Sequence, residues 1–429
     1  MEAVATAEAR RPLRLRCSVK NYDWGMIGQE SMVGRLFALN SKQDIEAGKP
    51  YAELWMGTHE SGPSFVDLGQ PEGERLTLKS LVEENPSVLG EKVVKRWGMD
   101  LPFLFKALSV GKALSIQAHP DKELAGFLHK THPELYKDPN HKPEMAIALS
   151  EFKALCGFVS VKELKDVLTH VPEILELVGE ESAIKFMKIQ VVDGNEVVKA
   201  LLQSMFTTLM TASKEAISEA LKKLLSRLGE EQKVRVLTVK EELVLLLEKQ
   251  YPADVGVIAA FFFNYVKLSP GEALCINANE PHAYVSGECI ECMATSDNVV
   301  RAGLTAKYRD VQTLCSMLTY KQGLPEILNG DSLNPYIKRY APPFDEFEVD
   351  YYLIPSGESV VSAEISGPSI LLIISGDGRL QMGVASVTQD VSEGNVFFVP
   401  SQIEISFSAG VTRPLQIYRA GVNSQFFDQ

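Results

Sequence analysis

The sequence has few cysteines and no recognisable export signal. Only six cysteines occur in 429 residues, whereas small disulfide-held secreted domains use cysteine far more densely. The N-terminal segment MEAVATAEARRPLRLR lacks the apolar centre of a signal peptide, and Glu2 and Glu8 argue against a transit peptide. We therefore exclude a disulfide scaffold and expect a cytoplasmic protein.

The sequence also lacks a long apolar run and a basic block. Its longest apolar run, residues 255–266, is too short to cross a bilayer and contains an asparagine. The net charge is −13, and lysine and arginine are dispersed along the chain. Partners such as nucleic acid or an anionic membrane are therefore not expected. A small anionic ligand remains compatible with this charge, because it requires only a few cations in one place.

The sequence has the composition of an ordinary globular protein and divides into three successive segments with different secondary-structure patterns. Residues 14–158 are mixed, residues 160–250 are helical in pattern, and residues from 255 onward are rich in strand patterns. Ser160-x-x-Glu163 and Thr238-x-x-Glu241 predict helix starts of the capping-box type. Gly229, after ISEALKKLLSRL, predicts a helix end. The length exceeds that of one domain, so we expect a helical segment inserted in, or appended to, β structure.

Two stretches of the β-rich part align without a gap, residues 268–287 and 391–410. Both predict a strand entered through a glycine turn, a corner containing proline, and a returning strand. This succession of turns and strands is typical of the hairpins in small jelly-roll barrels. In the alignment His282 falls opposite Ile405, so we expect that only the first copy carries a polar site.

The stretch ALSIQAHPDKE, residues 113–123, predicts a strand with polar side chains on one face, because Ser115, Gln117 and His119 alternate with apolar residues. With Glu144 and His282, Gln117 and His119 make a set of two imidazoles, one carboxylate and one amide, which suits Zn²⁺. The four positions are too dispersed for their spacing to require a metal. Judged on spacing, a polar pocket lined by hydrogen-bonded histidines is the favoured alternative.

Two other features have two interpretations each, and the charge of a third residue is unusual. Cys289-x-x-Cys292 has the spacing of a zinc knuckle but no second pair, which favours a buried structural role. Arg301 is either a phosphate ligand or, as its sequence context alone favours, a member of a surface ion pair. Glu53 would be an unusual charge on the inner face of a strand.

Five motifs together resemble one family, the type I mannose-6-phosphate isomerases (phosphomannose isomerases). In chain order they are NYDWG, YAELWMGTHESGPS, LPFLFKALSVGKALSIQAHPDK, HKPEMAIAL and NEPHAYVSGECIECMATSDNVVRAGLTAKYRDV. The resemblance covers nearly the whole chain, and the plant enzymes look closest. It implies a mainly β, cupin-type (jelly-roll) fold with a helical insertion, α+β overall. The implied domains are a metal-bearing domain at 14–158 plus 255–325, a helical domain at 159–254, and a C-terminal cupin-type β-domain without metal at 326–429.

The resemblance also implies a reaction and a site. The reaction is the interconversion of mannose 6-phosphate and fructose 6-phosphate through an enediolate, which supplies mannose 6-phosphate for GDP-mannose. One zinc ion per chain is implied on Gln117, His119, Glu144 and His282. The implied catalytic residues are Arg301, Glu53, Lys142, Asp297 and Tyr284, and the implied substrate or phosphate ligands are Trp24, Lys106, Ser115 and Lys307. The base stays open among Glu53, Lys142, Asp297 and a zinc-bound water, and so does the choice of phosphate-binding cations.

Two other functions keep the same fold. A non-catalytic sugar-binding cupin would be expected to lose the cations around the site. All four are present: Lys106, Lys142, Arg301 and Lys307. A metal-dependent oxygenase needs iron with open positions, and Gln117 as a fourth ligand counts against it. Because the family is commonly monomeric, we expect a monomer with a phosphosugar substrate.

Overall fold

The computed structural model describes residues 11–67, 76–190, 194–382 and 387–428. Its strands are β1 Leu13–Arg16, β2 Ser18–Lys20, β3 Met26–Ile27, β4 Pro50–Tyr51, β5 Glu53–Met56, β6 Phe65–Val66, β7 Phe103–Val110, β8 Ile116–Ala118, β9 Glu144–Ala148, β10 Phe152–Phe158, β11 Phe263–Leu268, β12 Ala273–Ile276, β13 His282–Ala294, β14 Val300–Gly303, β15 Ile327–Leu328, β16 Asp331–Asn334, β17 Ile337–Tyr340, β18 Glu348–Ile354, β19 Ser359–Ile365, β20 Ser369–Ser375, β21 Asp377–Met382, β22 Val387–Ser392, β23 Val396–Val399, β24 Ile403–Ala409 and β25 Leu415–Gly421. Its α-helices are Met32–Ser41, Leu78–Glu84, Glu91–Trp97, Lys122–Thr131, Val161–His170, Pro172–Val178, Glu180–Lys188, Asn195–Thr211, Lys214–Glu231, Val239–Gln250, Val255–Ala259 and Val311–Met317.

The largest sheet has eleven strands and is organised around β13. Seven strands follow the order β15-β12-β9-β13-β7-β5-β2, and β8, β10, β11 and β14 attach beside this path. The first part of β13 pairs with β10 and β8, and its second part pairs with β7 and β9. All eight residues of β7 are buried, as expected for a central strand covered on both faces.

Gly287 lies where β13 changes partners. Its φ is +111°, and a Cβ there would lie 2.4 Å from the carbonyl oxygen of Glu151. Only glycine fits this close backbone approach at positive φ. The change of partners lets one strand carry two polar groups, His282 at its start and Glu291 in its second part.

The C-terminal part forms two further sheets. An eight-stranded sheet has the order β16-β17-β18-β25-β20-β23-β1-β6, and a four-stranded sheet has the order β19-β24-β21-β22. An apolar core that includes Tyr352, Ile373 and Phe407 joins strands of both sheets. The N-terminal strand β1 pairs with β23 and so belongs to this sheet rather than to the eleven-stranded one. The strand order of the described residues gives open sheets without a closed barrel.

The predicted helical segment is helical, with two differences in its ends. The helix Lys214–Glu231 continues through Gly229, so the prediction that this glycine ends the helix is wrong. Arg227 Nη1 lies 2.9 Å from Glu231 Oε1, and this i,i+4 pair stabilises the last turn past the glycine. Thr238 and Glu241 form the complete capping box, as predicted. Ser160 caps its helix, but the Glu163 carboxylate binds Lys240 Nζ at 2.8 Å instead of closing the box.

The insertion is not packed separately from the sheet. Its apolar residues, such as Leu164 and Phe206, form one core with Ile116 of β8 and Val300 of β14. The short strands that carry candidate site residues are therefore supported from behind by the helices. None of the helices in the described part of the chain is both long and apolar enough to cross a membrane.

The two aligned stretches have the same layout in the structure. Gly271 precedes β12 and β13, and Gly394 precedes β23 and β24, with φ of +89° and +81°. His282 begins β13 at the candidate site, whereas Ile405 is fully buried in an apolar core. The two stretches therefore share a strand–turn–strand layout, and only the first places a polar side chain at the aligned position.

Candidate active site and metal centre

Three of the four predicted metal ligands meet in the eleven-stranded sheet. His119 Nε2 lies 3.3 Å from Glu144 Oε1, and His282 Nε2 lies 3.4 Å from Glu144 Oε2. One ligand atom from each residue lies within 4.8 Å of the others, and all three residues are buried. This is the arrangement expected when three donors surround one small ion.

Two ring nitrogens of this cluster have no hydrogen-bond partner, which shows whether the cluster suits a metal ion. His119 Nε2 and His282 Nε2 are both buried and have no hydrogen-bond partner, which is costly unless something else occupies that position. The opposite ring nitrogens are held by carbonyl oxygens: His119 Nδ1 lies 2.7 Å from Asn298 O, and His282 Nδ1 lies 3.1 Å from Glu280 O. These contacts place a proton on each Nδ1 and leave each Nε2 lone pair free for a metal. The residues therefore fit Zn²⁺.

The protonation states favour the same conclusion. Burial lowers the pKa of His119 to about 4, so its imidazole is neutral at neutral pH. Burial alone would raise the pKa of Glu144, but opposing interactions, the Lys142 ammonium first among them, outweigh burial and hold that pKa well below its usual range. Neutral imidazole and ionised carboxylate are the forms that ligate metals.

The pairing register of β13, β8 and β14 places Gln117 beside the cluster. It pairs with His282 of β13 on one side and with Arg301 of β14 on the other. Residues directly opposite each other in a ladder share a face, so His282, Gln117 and Arg301 form a row. Ser115 Oγ donates to Gln117 Oε1 at 3.2 Å and orients the amide. The structure therefore brings the fourth predicted ligand to the other three.

A cavity of about 550 Å³ opens at this row. It is lined by the other residues singled out in the sequence: Trp24, Glu53, Lys106, Ser115, Gln117, Lys142, Glu144, Tyr284, Asp297, Arg301 and Lys307. Of the predicted site residues, only His119 and His282, whose Nε2 atoms lie next to Glu144, are absent from the lining. Residues spread over the chain thus converge on one cavity.

The cavity contains cations that are paired with carboxylates and cations that are not. Lys106 Nζ lies 2.9 Å from Glu291 Oε2 and 3.3 Å from Glu53 Oε2, and Lys142 Nζ lies 3.1 Å from Glu144 Oε1. Within the described residues, Arg301 and Lys307 make no ion pair. The interpretation of Arg301 as a surface ion pair is therefore wrong. Its guanidinium is half-buried, and burial lowers its pKa.

Carboxylates line the same cavity, next to its cations. Glu53 Oε2 accepts from Trp55 Nε1 at 2.6 Å as well as from Lys106. The Asp297 carboxylate lies 3.3 Å from His59 Nε2, and this contact, outweighing burial, lowers the pKa of Asp297. Tyr284 is buried, and burial together with Glu291 raises its pKa, so its hydroxyl stays protonated.

Several lining residues were not predicted as site residues, among them Glu291, His59 and Tyr251. Glu291 is 3 % exposed, and burial raises its pKa in spite of the Lys106 ammonium. A charged residue inside the apolar stretch of β13 was a usable signal for it. His59 was visible in the sequence only as part of a turn-rich loop. Tyr251 comes from the end of the helical insertion, and no local pattern connects it with the site.

The cysteine pair takes no part in the site. Cys289 and Cys292 are fully buried in β13 and belong to two different apolar cores. The buried structural role is confirmed.

Family models and relatives indicate one family over most of the chain. Models of type I phosphomannose isomerase match the catalytic domain at residues 13–161, the helical insertion domain at 177–263 and the C-terminal part at 340–385. The chain is 57% identical over 418 residues to mannose-6-phosphate isomerase 2 of Arabidopsis thaliana, covering 96% of this chain and 94% of that protein. It is 40% identical over 420 residues to mannose-6-phosphate isomerase of Homo sapiens, covering 96% and 99%.

Solved structures give the same result. A zinc-bound mannose 6-phosphate isomerase is similar with a TM-score of 0.80 at 27% identity, over 96% of this chain and 100% of that chain. A variant of the phosphomannose isomerase from Salmonella typhimurium is similar with a TM-score of 0.79 at 26% identity, with the same coverage.

Proposed function

The chain belongs to the type I phosphomannose isomerase family, and we propose that Gln117, His119, Glu144 and His282 hold the zinc ion with which it interconverts mannose 6-phosphate and fructose 6-phosphate. One observation carries the assignment: two buried imidazole nitrogens without partners converge on an ionised carboxylate. When bound there, zinc supplies a redox-silent Lewis acid for the negative charge that develops beside the substrate carbonyl. The product mannose 6-phosphate would serve as a precursor of GDP-mannose.

Arg301 and Lys307 are the phosphate ligands in this proposal. Both line the cavity, and neither is neutralised by a carboxylate in the described part of the chain. Arg301 can grip phosphate with two parallel N–H bonds, and Lys307 adds a second charge. Lys106 and Lys142 are each held by carboxylates, which makes them better suited to fix those carboxylates than to bind an anion.

Ser115, Tyr284 and Trp24 complete the substrate contacts in the proposal. The Ser115 hydroxyl orients Gln117, and the protonated Tyr284 hydroxyl can donate to a sugar oxygen. The Trp24 ring, stacked on Tyr22 with centroids 5.8 Å apart, offers an apolar face at the cavity wall. Asp297, held ionised by His59, is placed to accept a hydrogen bond from a sugar hydroxyl.

Glu291 is the base that the geometry supports best. The reaction moves a proton between C2 and C1, which requires a group that accepts the proton and returns it. A carboxylate whose pKa is raised by burial is suited to this, and the Lys106 ammonium at 2.9 Å keeps it in place. Glu53 shares the same lysine, whereas Lys142 is held by Glu144 and Asp297 has a lowered pKa.

The Glu291→Gln variant tests this assignment. A positioned base contributes roughly 10²–10⁴ in rate, so we expect kcat for isomerisation to fall at least about 100-fold while the zinc content stays at one per chain. Glu53→Gln is the matched comparison, because Lys106 keeps one carboxylate partner in either variant. Loss of turnover in Glu53→Gln with near-normal turnover in Glu291→Gln would assign the base to Glu53 instead.

The finer architecture also belongs to this proposal. Family membership supports a cupin-type jelly roll for the β parts, with the domains divided at 14–158 plus 255–325, 159–254 and 326–429. A monomer, as is common in the family, is part of the proposal. The enzyme would act in the cytoplasm on a phosphosugar, without nucleic acid or membrane partners.

A further inference from the structure

His59 has a fixed position at the wall of the cavity. It lies in a loop that is closed by Gly57 N–H donating to Ser64 Oγ (3.0 Å) and Ser64 N–H donating to Gly57 O (3.1 Å). The ring packs edge-on against Trp55, with centroids 5.0 Å apart, and the side chain is only 9% exposed. Gly62 allows this packing, because a Cβ there would lie 2.7 Å from the Trp55 ring.

The hydrogen-bond network assigns the tautomer of His59. The backbone N–H of Ser61 donates to His59 Nδ1 at 3.2 Å, so this nitrogen carries no proton. The ring proton is therefore on Nε2, which lies 3.3 Å from Asp297 Oδ1. The loop thus presents a single N–H donor to one oxygen of Asp297.

Asp297 is in turn fixed next to the metal centre. Its backbone N–H donates to Asp138 Oδ2 at 2.8 Å. The carbonyl oxygen of the next residue, Asn298, accepts from His119 Nδ1 at 2.7 Å. The Asp297 side chain is 48% exposed and lines the cavity. In the described part of the chain, Oδ2 has no hydrogen-bond partner, so it is free for a substrate hydroxyl.

We propose that His59 is a positioning residue, which donates its Nε2–H to Asp297 Oδ1 and thereby aims Asp297 Oδ2 at a hydroxyl of the bound sugar phosphate. This role rests on the proposed function, since Asp297 is taken there as a substrate contact. The hydrogen bond from His59 also lowers the pKa of Asp297. The nearby cations Lys142 and Lys106 lower it further. An ionised acceptor makes the stronger hydrogen bond to a hydroxyl.

Two substitutions of His59 separate positioning from packing. His59→Leu keeps an apolar group against Trp55 but removes the donor. His59→Gln places an amide N–H near the position of Nε2 and keeps the donor. We expect kcat/KM for mannose 6-phosphate to fall about tenfold in His59→Leu, mainly through KM, and to return to within about threefold of wild type in His59→Gln. Zinc content and thermal midpoint should stay unchanged in both variants.

The coupling to Asp297 is measured by a double-mutant cycle. If His59 acts through Asp297, the double variant His59→Leu/Asp297→Asn has the same kcat/KM as Asp297→Asn alone. His170, which is exposed on the helix Val161–His170, provides a control variant, His170→Leu, with expected wild-type kinetics.

The outcomes are distinct. Wild-type kcat/KM in His59→Leu, failure of His59→Gln to restore activity, or additive losses in the double variant would each overturn the role of His59. Wild-type kcat/KM in Asp297→Asn would overturn the substrate contact on which that role depends. Neither result touches the isomerase assignment, which fails only if the zinc-loaded wild type does not convert mannose 6-phosphate.

Discussion

Gln117 differs chemically from the other proposed ligands, because its side chain is neutral. With Glu144 as the only carboxylate, the donor set carries a single negative charge, and a divalent ion held there keeps a net positive charge. A more positive ion is a stronger electrophile for the oxygen atoms of the substrate. The amide is oriented by Ser115 and stands in register between His282 and Arg301.

Gln117→Glu should therefore keep zinc and slow turnover. The carboxylate has the same length and adds a negative charge, so we expect normal zinc content with kcat reduced about tenfold or more. Metal analysis and steady-state kinetics on one preparation check both parts. Unchanged kcat in a fully zinc-loaded variant would remove the electrostatic argument for the amide.

At the residue scale, the sequence predicted the site residues through their motifs, and the geometry explains why it missed Glu291. Motif residues such as Gln117 and Glu144 are recognisable because they occur in stretches that the family shares. Glu291 gains its meaning from Lys106, which is 185 residues away in the sequence and pairs with it across β7 and β13. A burial-raised pKa is a tertiary property, so residue type alone did not indicate it.

Strand β13 is the element that joins the two halves of the site. It changes partners at Gly287, between the proposed metal ligand His282 and the proposed base Glu291. The segment of β13 between the two groups therefore includes a position that requires glycine.

Gly287→Ala should destabilise the protein and weaken zinc binding. Positive φ costs a non-glycine residue about 1–3 kcal/mol, and the added Cβ would also lie 2.4 Å from Glu151 O. Gly357→Ala is the control, since Gly357 also has positive φ (+79°) but nothing within 4 Å of its Cβ position. We expect a lower thermal midpoint and weaker zinc affinity in Gly287→Ala than in Gly357→Ala. Equal effects would show that the close approach to β10 does not matter.

The capping box of the helix Val239–Gln250 gives a pH-dependent stability. Glu241 accepts from Arg235 Nη1 and Nη2 at 2.9 and 2.7 Å and from Thr238 N at 2.7 Å. The Arg235 guanidinium lowers the pKa of Glu241 to about 2. Its unfolded value is about 4.3, so the stabilisation is present above the unfolded pKa and is lost as the pH falls through the folded pKa.

Glu241→Gln should therefore lower the thermal midpoint by an amount that depends on pH. Gln keeps the box hydrogen bond but not the charge, and solvent screening limits the loss to about 1 kcal/mol. The difference from wild type should be constant above about pH 5 and should shrink between about pH 4 and pH 2. Glu230→Gln, at a side chain 76% exposed, is the control. A difference that stays constant down to pH 2 would contradict the assignment.

Element starts were easier to predict than element ends. Ser160 and Thr238 are helix caps as predicted, because a cap depends on neighbours three residues away. Gly229 was misread because the Arg227–Glu231 pair carries the helix past it. The three-residue length of β8 also depends on its neighbours, since β13 and β14 hold it in place.

On the scale of the whole molecule, the cavity is lined by residues from several strands of the eleven-stranded sheet, from the loops beside them and from Tyr251, which follows the helix Val239–Gln250. Lys112 Nζ lies 4.2 Å from the ring centroid of Tyr251, which connects the strand region with the last turn of the helices. The succession of mixed, helical and strand-rich segments in the sequence indicated a helical insertion. It did not indicate that the apolar core of the insertion would pack against β8 and β14. That packing is a long-range property which no local periodicity encodes.

The most direct measurement is the interconversion of mannose 6-phosphate and fructose 6-phosphate by the purified protein before chelation, after chelation and after zinc is restored. The account predicts activity that disappears with the metal and returns with about one zinc ion per chain, while Glu144→Gln stays inactive throughout. Activity that survives complete removal of the metal, or a folded zinc-loaded protein without activity, would contradict the central claim.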